Sequence, residues 1–265
     1  MRYNFVEMTG SSPVSPSNNI MDNQEIYDLY VLQSKNVRRL KKVQKSLVKD
    51  INFYLQKNDD FQVEIKTKLL ALLYCTISEA QFIQILHTPS GFSYAEITQI
   101  KNQRSITESW KLMIDLAMDK VGDWRNNADL NGRRNKLHEI IKTYIEEPHG
   151  IRNKIAHGQW IHALNSNNTK ENEEITQKIN SLNVVSLTIW AEVHQYLALI
   201  IRDLIQSPQI GHHNNYWVNL VELEQYLQKS ANWTIEKRKE RLQKKQMKPA
   251  PNKKAPKRGG TQRRP

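Results

Sequence analysis

Residues 62–87, QVEIKTKLLALLYCTISEAQFIQILH, hold neither proline nor glycine and end at Thr88-Pro89-Ser90-Gly91. Ile65, Leu69, Leu72, Thr76, Glu79, Ile83 and Leu86 recur at alternating four- and three-residue intervals, the period of one helix face. A run this long with that period is a core helix. Working outward, Leu40, Val43, Leu47, Ile51 and Tyr54 repeat the spacing, so a first helix runs from a cap at Asp22 or Asn23 to about residue 57. Shorter helices are expected at Ser93–Lys101 and from Ser105 or Thr107 through Ala117. Asp123–Gly132 reads as a polar loop closed by Asn131-Gly132. Arg133–Glu146 is predicted helical, with an interruption at Glu147-Pro148-His149-Gly150. Leu182–Gln206 and Trp217–Lys229 close the globule. Residues 165–180 hold a turn and then Ile175–Ile179, a small hairpin or a loop. The expected class is all-α, an antiparallel helical bundle with that possible hairpin insertion and disordered termini.

Composition narrows the function classes. The chain has 265 residues, 38 % of them hydrophobic and 8 % aromatic, which excludes a collagen, a mucin and an integral membrane channel. No stretch reaches the roughly 18 uninterrupted apolar residues of a spanning helix, so no membrane association is expected. The first twenty residues lack the apolar block and small-residue cleavage site of a secretory signal, and a cytoplasmic location follows as the expectation. The lone Cys75 lies in an apolar run and reads as a small core residue.

The formal net charge is +12, and residues 237–265 alone hold thirteen Lys or Arg against Glu240. Proline and glycine are concentrated there too. The segment reads as a flexible polycation that attracts polyanions, nucleic acid above all; a solubilising or lipid-touching tail is the alternative. The expected organisation is a disordered segment 1–22, one helical domain 23–236 and a disordered basic tail 237–265.

Several sites are excluded by inspection: no glycine-rich phosphate loop, no Cys-x-x-Cys pair, no His-Glu-x-x-His helix, no Gly-x-Ser-x-Gly elbow. No metal and no cofactor is expected. His212-His213 reads as a solvated pair in a polar loop, and His194 as a core histidine on the stripe of Leu187, Ala191, Ala198 and Ile201.

Ile151-Arg-Asn-Lys-Ile-Ala-His-Gly-Gln-Trp160 differs from all of these. It puts Arg152, Asn153 and His157 within six residues, just before Gly158. On a helix Asn153 and His157 share a face, where the amide can orient the ring. Arg152 lies about 140° away from His157, so one copy points its two ionic groups apart. A two-fold dimer packing two such segments together would gather two arginines and two histidines around one phosphate. Glu79, a carboxylate on an apolar stripe, needs a partner, and Arg152 is an attractive counterion; the alternatives are a Glu at the wet edge of that stripe or one paired with another base. Lys154 could add phosphate affinity, or simply face solvent.

Arg152-Asn153-x-x-x-His157 followed by Gly158, late in an all-α chain, resembles the signature of the HEPN superfamily. That resemblance implies a helical bundle that dimerises and, in many members, a metal-independent endoribonuclease of toxin–antitoxin, phage-defence or RNA-processing settings. It implies that Arg152 and His157 are the active-site pair and Asn153 the polar residue after the arginine. An antitoxin or defence protein is then a possible partner. The chemistry suits these residue types: RNA carries its own nucleophile, the 2′-hydroxyl, histidine transfers protons near neutrality, and arginine binds phosphate with a fixed fork. The expected reaction is transesterification to a 2′,3′-cyclic phosphate and a 5′-hydroxyl. The competing expectation is a catalytically silent helical-bundle adaptor that binds RNA or a partner protein, with the motif serving structure.

Overall fold

The structure is a computed structural model that describes residues 21–246. Among the described residues it holds ten α-helices and one π-helical segment, joined by connections of which the longest spans residues 157–172. The two longest, α1 (Asn23–Lys57) and α2 (Asp60–Leu86), form an antiparallel hairpin. Asp22 opens α1 with a reciprocal capping box to Glu25, and Asn58 closes it in the left-handed region at φ 55°. Gln33 donates to the Ala80 carbonyl at 3.1 Å and Gln84 to Ser34 at 2.8 Å, which fixes the register of the pair. Helices α3 (Tyr94–Lys101) and α4 (Ile106–Val121) follow, capped by Ser93 and Ser105. Helix α8 (Val184–Gln206) packs across α2 and α4 and pairs with α9 (Gly211–Ser230).

Two hydrophobic clusters hold the bundle. One gathers Phe82, Leu86, Trp110, Met113, Leu197 and Ile201 with their neighbours. The other joins Ile51 and Leu55 of α1 to Leu70, Ile151, Ile155 and Leu187. By length and composition α2 and α8 could each cross a membrane, with windows of mean hydropathy 1.6 and 1.5. About half of each window is buried in the bundle, 56 % in α2 and 50 % in α8, and Leu70, Tyr74, Phe82, Leu197 and Ile201 are each at most 3 % exposed.

Four expectations need correction. Residues 123–132 are not one loop, because Asn127 caps α5 (Ala128–Ile141) by accepting from the Asp129 and Leu130 amides, so Asn131-Gly132 lies inside a helix. Residues 165–180 form no hairpin. A single antiparallel bridge joins Leu164 to Glu171, and α7 (Glu173–Asn180) follows under an Asn172 cap, burying Thr176 and Ile179. His212-His213 falls in the first turn of α9 and not in a loop. The basic segment is helical over its first part: α10 (Ile235–Gln246) sets Ile235 and Leu242 against the second cluster. Arg238 donates to Asn52 Oδ1 at 2.8 Å and Gln56 donates to the Leu242 carbonyl at 3.3 Å. Two apolar side chains seven residues apart suffice to dock a helix whose other faces are charged. The rest of that tail, and the expected disordered start up to residue 20, lie outside the described residues.

The expected break at Pro148 is also absent. Helix α5 continues through a π-helical segment, Lys142–Glu146, into α6 (Glu147–Ala156). A proline inside a helix lacks the N–H that would bond the carbonyl four residues back, and its ring crowds that carbonyl. Here the wider turn, with the Glu147 N–H on the Lys142 carbonyl, relieves the crowding. The freed Tyr144 carbonyl accepts from the hydroxyl of the buried Tyr74 on α2. Burial raises the Tyr74 pKa well above its ordinary value and so keeps that hydroxyl a donor. Tyr74→Phe is therefore expected to leave a buried carbonyl without a partner and to cost about 1–3 kcal/mol in urea unfolding. An unchanged midpoint would show that the carbonyl finds water.

Candidate active site

The through-helix carries the arginine of the motif into the seam between α2 and α6. The Arg152 guanidinium bonds the Glu79 carboxylate and also reaches Cys75, one turn earlier on α2. Cys75 is fully buried, and burial pushes its thiol up to about 12, so at neutral pH it is a neutral contact and not a nucleophile. The Arg152 and Glu79 side chains are 29 % and 43 % exposed. Glu79 thus stands at the wet margin of α2 and pairs with Arg152 at the same time. The stripe that contains it is not the buried centre of the helix either: Leu69 is 41 % exposed, while Leu70, Tyr74, Ile77 and Phe82 are buried.

A residue missed by sequence reasoning completes this group. His149 lies three positions before Arg152, on the same helix face, and its Nδ1 is 3.6 Å from Glu79 Oε1. Its Nε2 is buried with no hydrogen-bond partner in the structure. Burial, with the Arg152 charge beside it, pushes the His149 pKa down to about 4. Glu79 would favour the protonated ring, but Arg152 already takes up that carboxylate, so burial prevails. His149 is neutral at pH 7. The signal was available in the i, i+3 spacing of His149 and Arg152, but the proline and glycine around His149 made the stretch read as a chain break.

The motif's histidine stands elsewhere. Helix α6 ends at Ala156 and His157 is its C-cap, with its backbone N–H on the Asn153 carbonyl at 3.1 Å. Gly158 follows in the left-handed region at φ 80°; its amide bonds the Ile155 carbonyl at 3.1 Å and the Gln159 amide bonds that of Lys154 at 3.0 Å. This paired closure needs a residue free to take positive φ, which explains the glycine. Trp160 folds back and donates its indole N–H to the Ile155 carbonyl at 2.9 Å. The His157 ring is exposed, as is Asn153, and no bond joins the two side chains, so the expected orientation of the ring by the amide is not found. Lys154 donates to the Leu164 carbonyl at 2.5 Å, which ties down the loop after the motif in place of the phosphate contact or solvent exposure expected for it.

His194 is a core residue, 2 % exposed, with Nε2 on Ser78 Oγ at 3.0 Å and its ring edge-on to Trp110. The chain therefore offers a guanidinium fixed at one end of α6 and an exposed imidazole at the other. Among the described residues no group of three or more His, Cys, Asp or Glu is placed to share a metal ion. No family model, curated protein or solved structure matches the chain.

Proposed function

We propose that this chain is a metal-independent endoribonuclease that works as a homodimer in the cytoplasm, with Arg152 and His157 at its centre. The observation that supports the reading most directly is the division of labour along α6: an arginine held by Glu79 and an unencumbered, exposed histidine five residues later. In the proposed reaction one histidine takes the proton of the 2′-hydroxyl, whose oxygen attacks the adjacent phosphorus. The P–O5′ bond breaks, and the leaving oxygen takes a proton from the histidine of the second protomer. The guanidinium offers its donors to the phosphate oxygens as charge builds. Glu79 positions the guanidinium, and His149 packs beside the pair as a neutral ring. The HEPN-like motif is the ground for placing the protein among toxin–antitoxin or phage-defence nucleases.

One observation favours the silent adaptor: the Arg152 guanidinium is already engaged by Glu79 and Cys75, as a purely structural tie would have it. Incubation of the full chain with labelled single-stranded RNA in EDTA separates the two. The nuclease yields fragments ending in 2′,3′-cyclic phosphate and 5′-hydroxyl, leaves the matching DNA intact, and elutes as a dimer in light scattering. RNA that is bound but never cut, or DNA cut equally well, overturns the reading.

A further inference from the structure

The cations of this protein are not confined to its C-terminal segment. Between Asp28 and Asp50 helix α1 holds no acid and seven bases: Lys35, Arg38, Arg39, Lys41, Lys42, Lys45 and Lys49. At 100° per residue all seven fall within about 160° of the helix circumference and along about 21 Å of its axis. The buried residues of α1, Ile26, Val37, Ile51 and Leu55, lie on the other side. Six of the seven are exposed and Lys41 is half-buried. Among the described residues none of them forms an ion pair; Lys41 instead donates to Gln195 Oε1 at 2.7 Å. Burial and the nearby Arg202 hold its pKa below the ordinary lysine value, against the opposing pull of Glu192.

Along one edge this face opens into a cavity of about 510 Å³ between α1, α2 and α8. Lys41, Lys45 and Lys49 stand at successive turns of its rim, and Leu70, Tyr74, Ile77, Leu187 and Ala191 supply apolar walls. Glu192 is the acid of the lining. His194 also lines it, and its buried Nδ1 has no hydrogen-bond partner. The volume suits a small organic body, and the walls combine apolar contact with a phenol ring. Unpaired cations in a row ask for a polyanion, and a recess beside the row asks for something that projects from that polyanion. Over the stretch from Lys35 to Lys49 the large exposed apolar side chain is Val43, outside the cationic arc, so this face lacks the apolar contacts by which a helix enters a lipid surface.

We propose that this face of α1 binds single-stranded RNA, its lysines and arginines following the phosphates while the adjoining cavity receives one unstacked base. The proposal rests on the reading of the chain as acting on RNA and adds where the strand is held. Through Ile51 and Leu55, on its opposite side, the end of α1 that carries Lys49 shares one hydrophobic cluster with Ile151 and Ile155 of α6.

Fluorescence anisotropy of the full chain with a labelled, fully 2′-O-methylated single-stranded RNA reads binding without cleavage. The triple variant Lys42→Gln/Lys45→Gln/Lys49→Gln is expected to bind more weakly and to make the slope of log affinity against log salt shallower by about 2, at roughly 0.7 per lost phosphate contact. Ala191→Phe, which fills the cavity, is expected to weaken binding about tenfold with the slope unchanged. Circular dichroism melts confirm that both variants fold. Wild-type affinity and slope in both would overturn the proposal and leave the binding to the segment beyond α10. Vesicles of phosphatidylserine that bind through these lysines while RNA ignores them would overturn it in favour of a lipid surface. If unmodified RNA is bound through α1 but left uncut, the nuclease reading fails and this surface stands. If RNA is cut and its binding ignores both variants, the reverse holds.

Discussion

His157→Ala should lower RNA cleavage by at least about 100-fold, the usual worth of a positioned acid or base, and leave the melting temperature within about 2 °C of wild type. The two halves of this expectation come from different atoms of one residue. The part of His157 that serves the fold is its backbone N–H, which bonds the Asn153 carbonyl at 3.1 Å at the end of α6, and alanine keeps that group. The imidazole is exposed, so its loss opens no cavity. An effect on cleavage without an effect on melting therefore isolates proton transfer. Asn153→Ala supplies the contrast: with no bond between its amide and the ring, its effect on rate should stay well below that of His157→Ala. A His157→Ala protein that cuts RNA at the wild-type rate would remove the motif from the chemistry and return it to a helix ending.

Much of the bundle was legible because its signals are local. Asp22, Ser93 and Ser105 stand where side chains must satisfy free helix N–H groups, and Gly158 where the chain must turn left-handed. The contact between Glu79 and Arg152 was legible for a different reason: a carboxylate on an apolar stripe calls for a counterion, and the motif's arginine was an attractive one. What stayed hidden depends on partners distant in the chain. Pro148 reads as a helix breaker until Tyr74, on another helix, takes up the carbonyl that the proline leaves free. The helical part of the basic segment was hidden because its docking needs only Ile235 and Leu242, whose apolar partners come from α1 and α8. Lys154 reads as a phosphate contact or a solvent-facing lysine from its neighbours alone, while its ammonium is engaged by Leu164 ten residues later. His149 sits among residues that favour a break, and the π turn that cancels the break is a property of the packed rod and not of the local sequence.

The stability of the fold should fall steeply as the pH drops from about 6.5, the ordinary histidine pKa, towards about 4. Burial, with Lys41 and His149 nearby, pushes His194 down to about 3, and burial with Arg152 beside it pushes His149 down to about 4. His87, buried at the end of α2, moves in the same direction, again through burial. A group whose folded pKa is depressed binds its proton more readily in the unfolded chain. Its contribution is thus complete above the unfolded pKa and is lost as the pH falls to the folded one. Near pH 5 the unfolded chain holds about two protons, those of His149 and His194, that the folded chain does not, which gives a slope of up to about 2.7 kcal/mol per pH unit. Urea unfolding at a series of pH values, or proton uptake on unfolding at pH 5, measures it directly. His149→Gln should remove about half of the slope. An uptake near one would mean that one ring is protonated in the fold, with Glu79 winning over Arg152 for His149 or with His194 reached by water from the cavity beside α1, and an uptake near zero that both are. With both rings neutral at pH 7 neither has a proton to give, and a cleavage rate that followed the titration of either would be reporting unfolding and not chemistry.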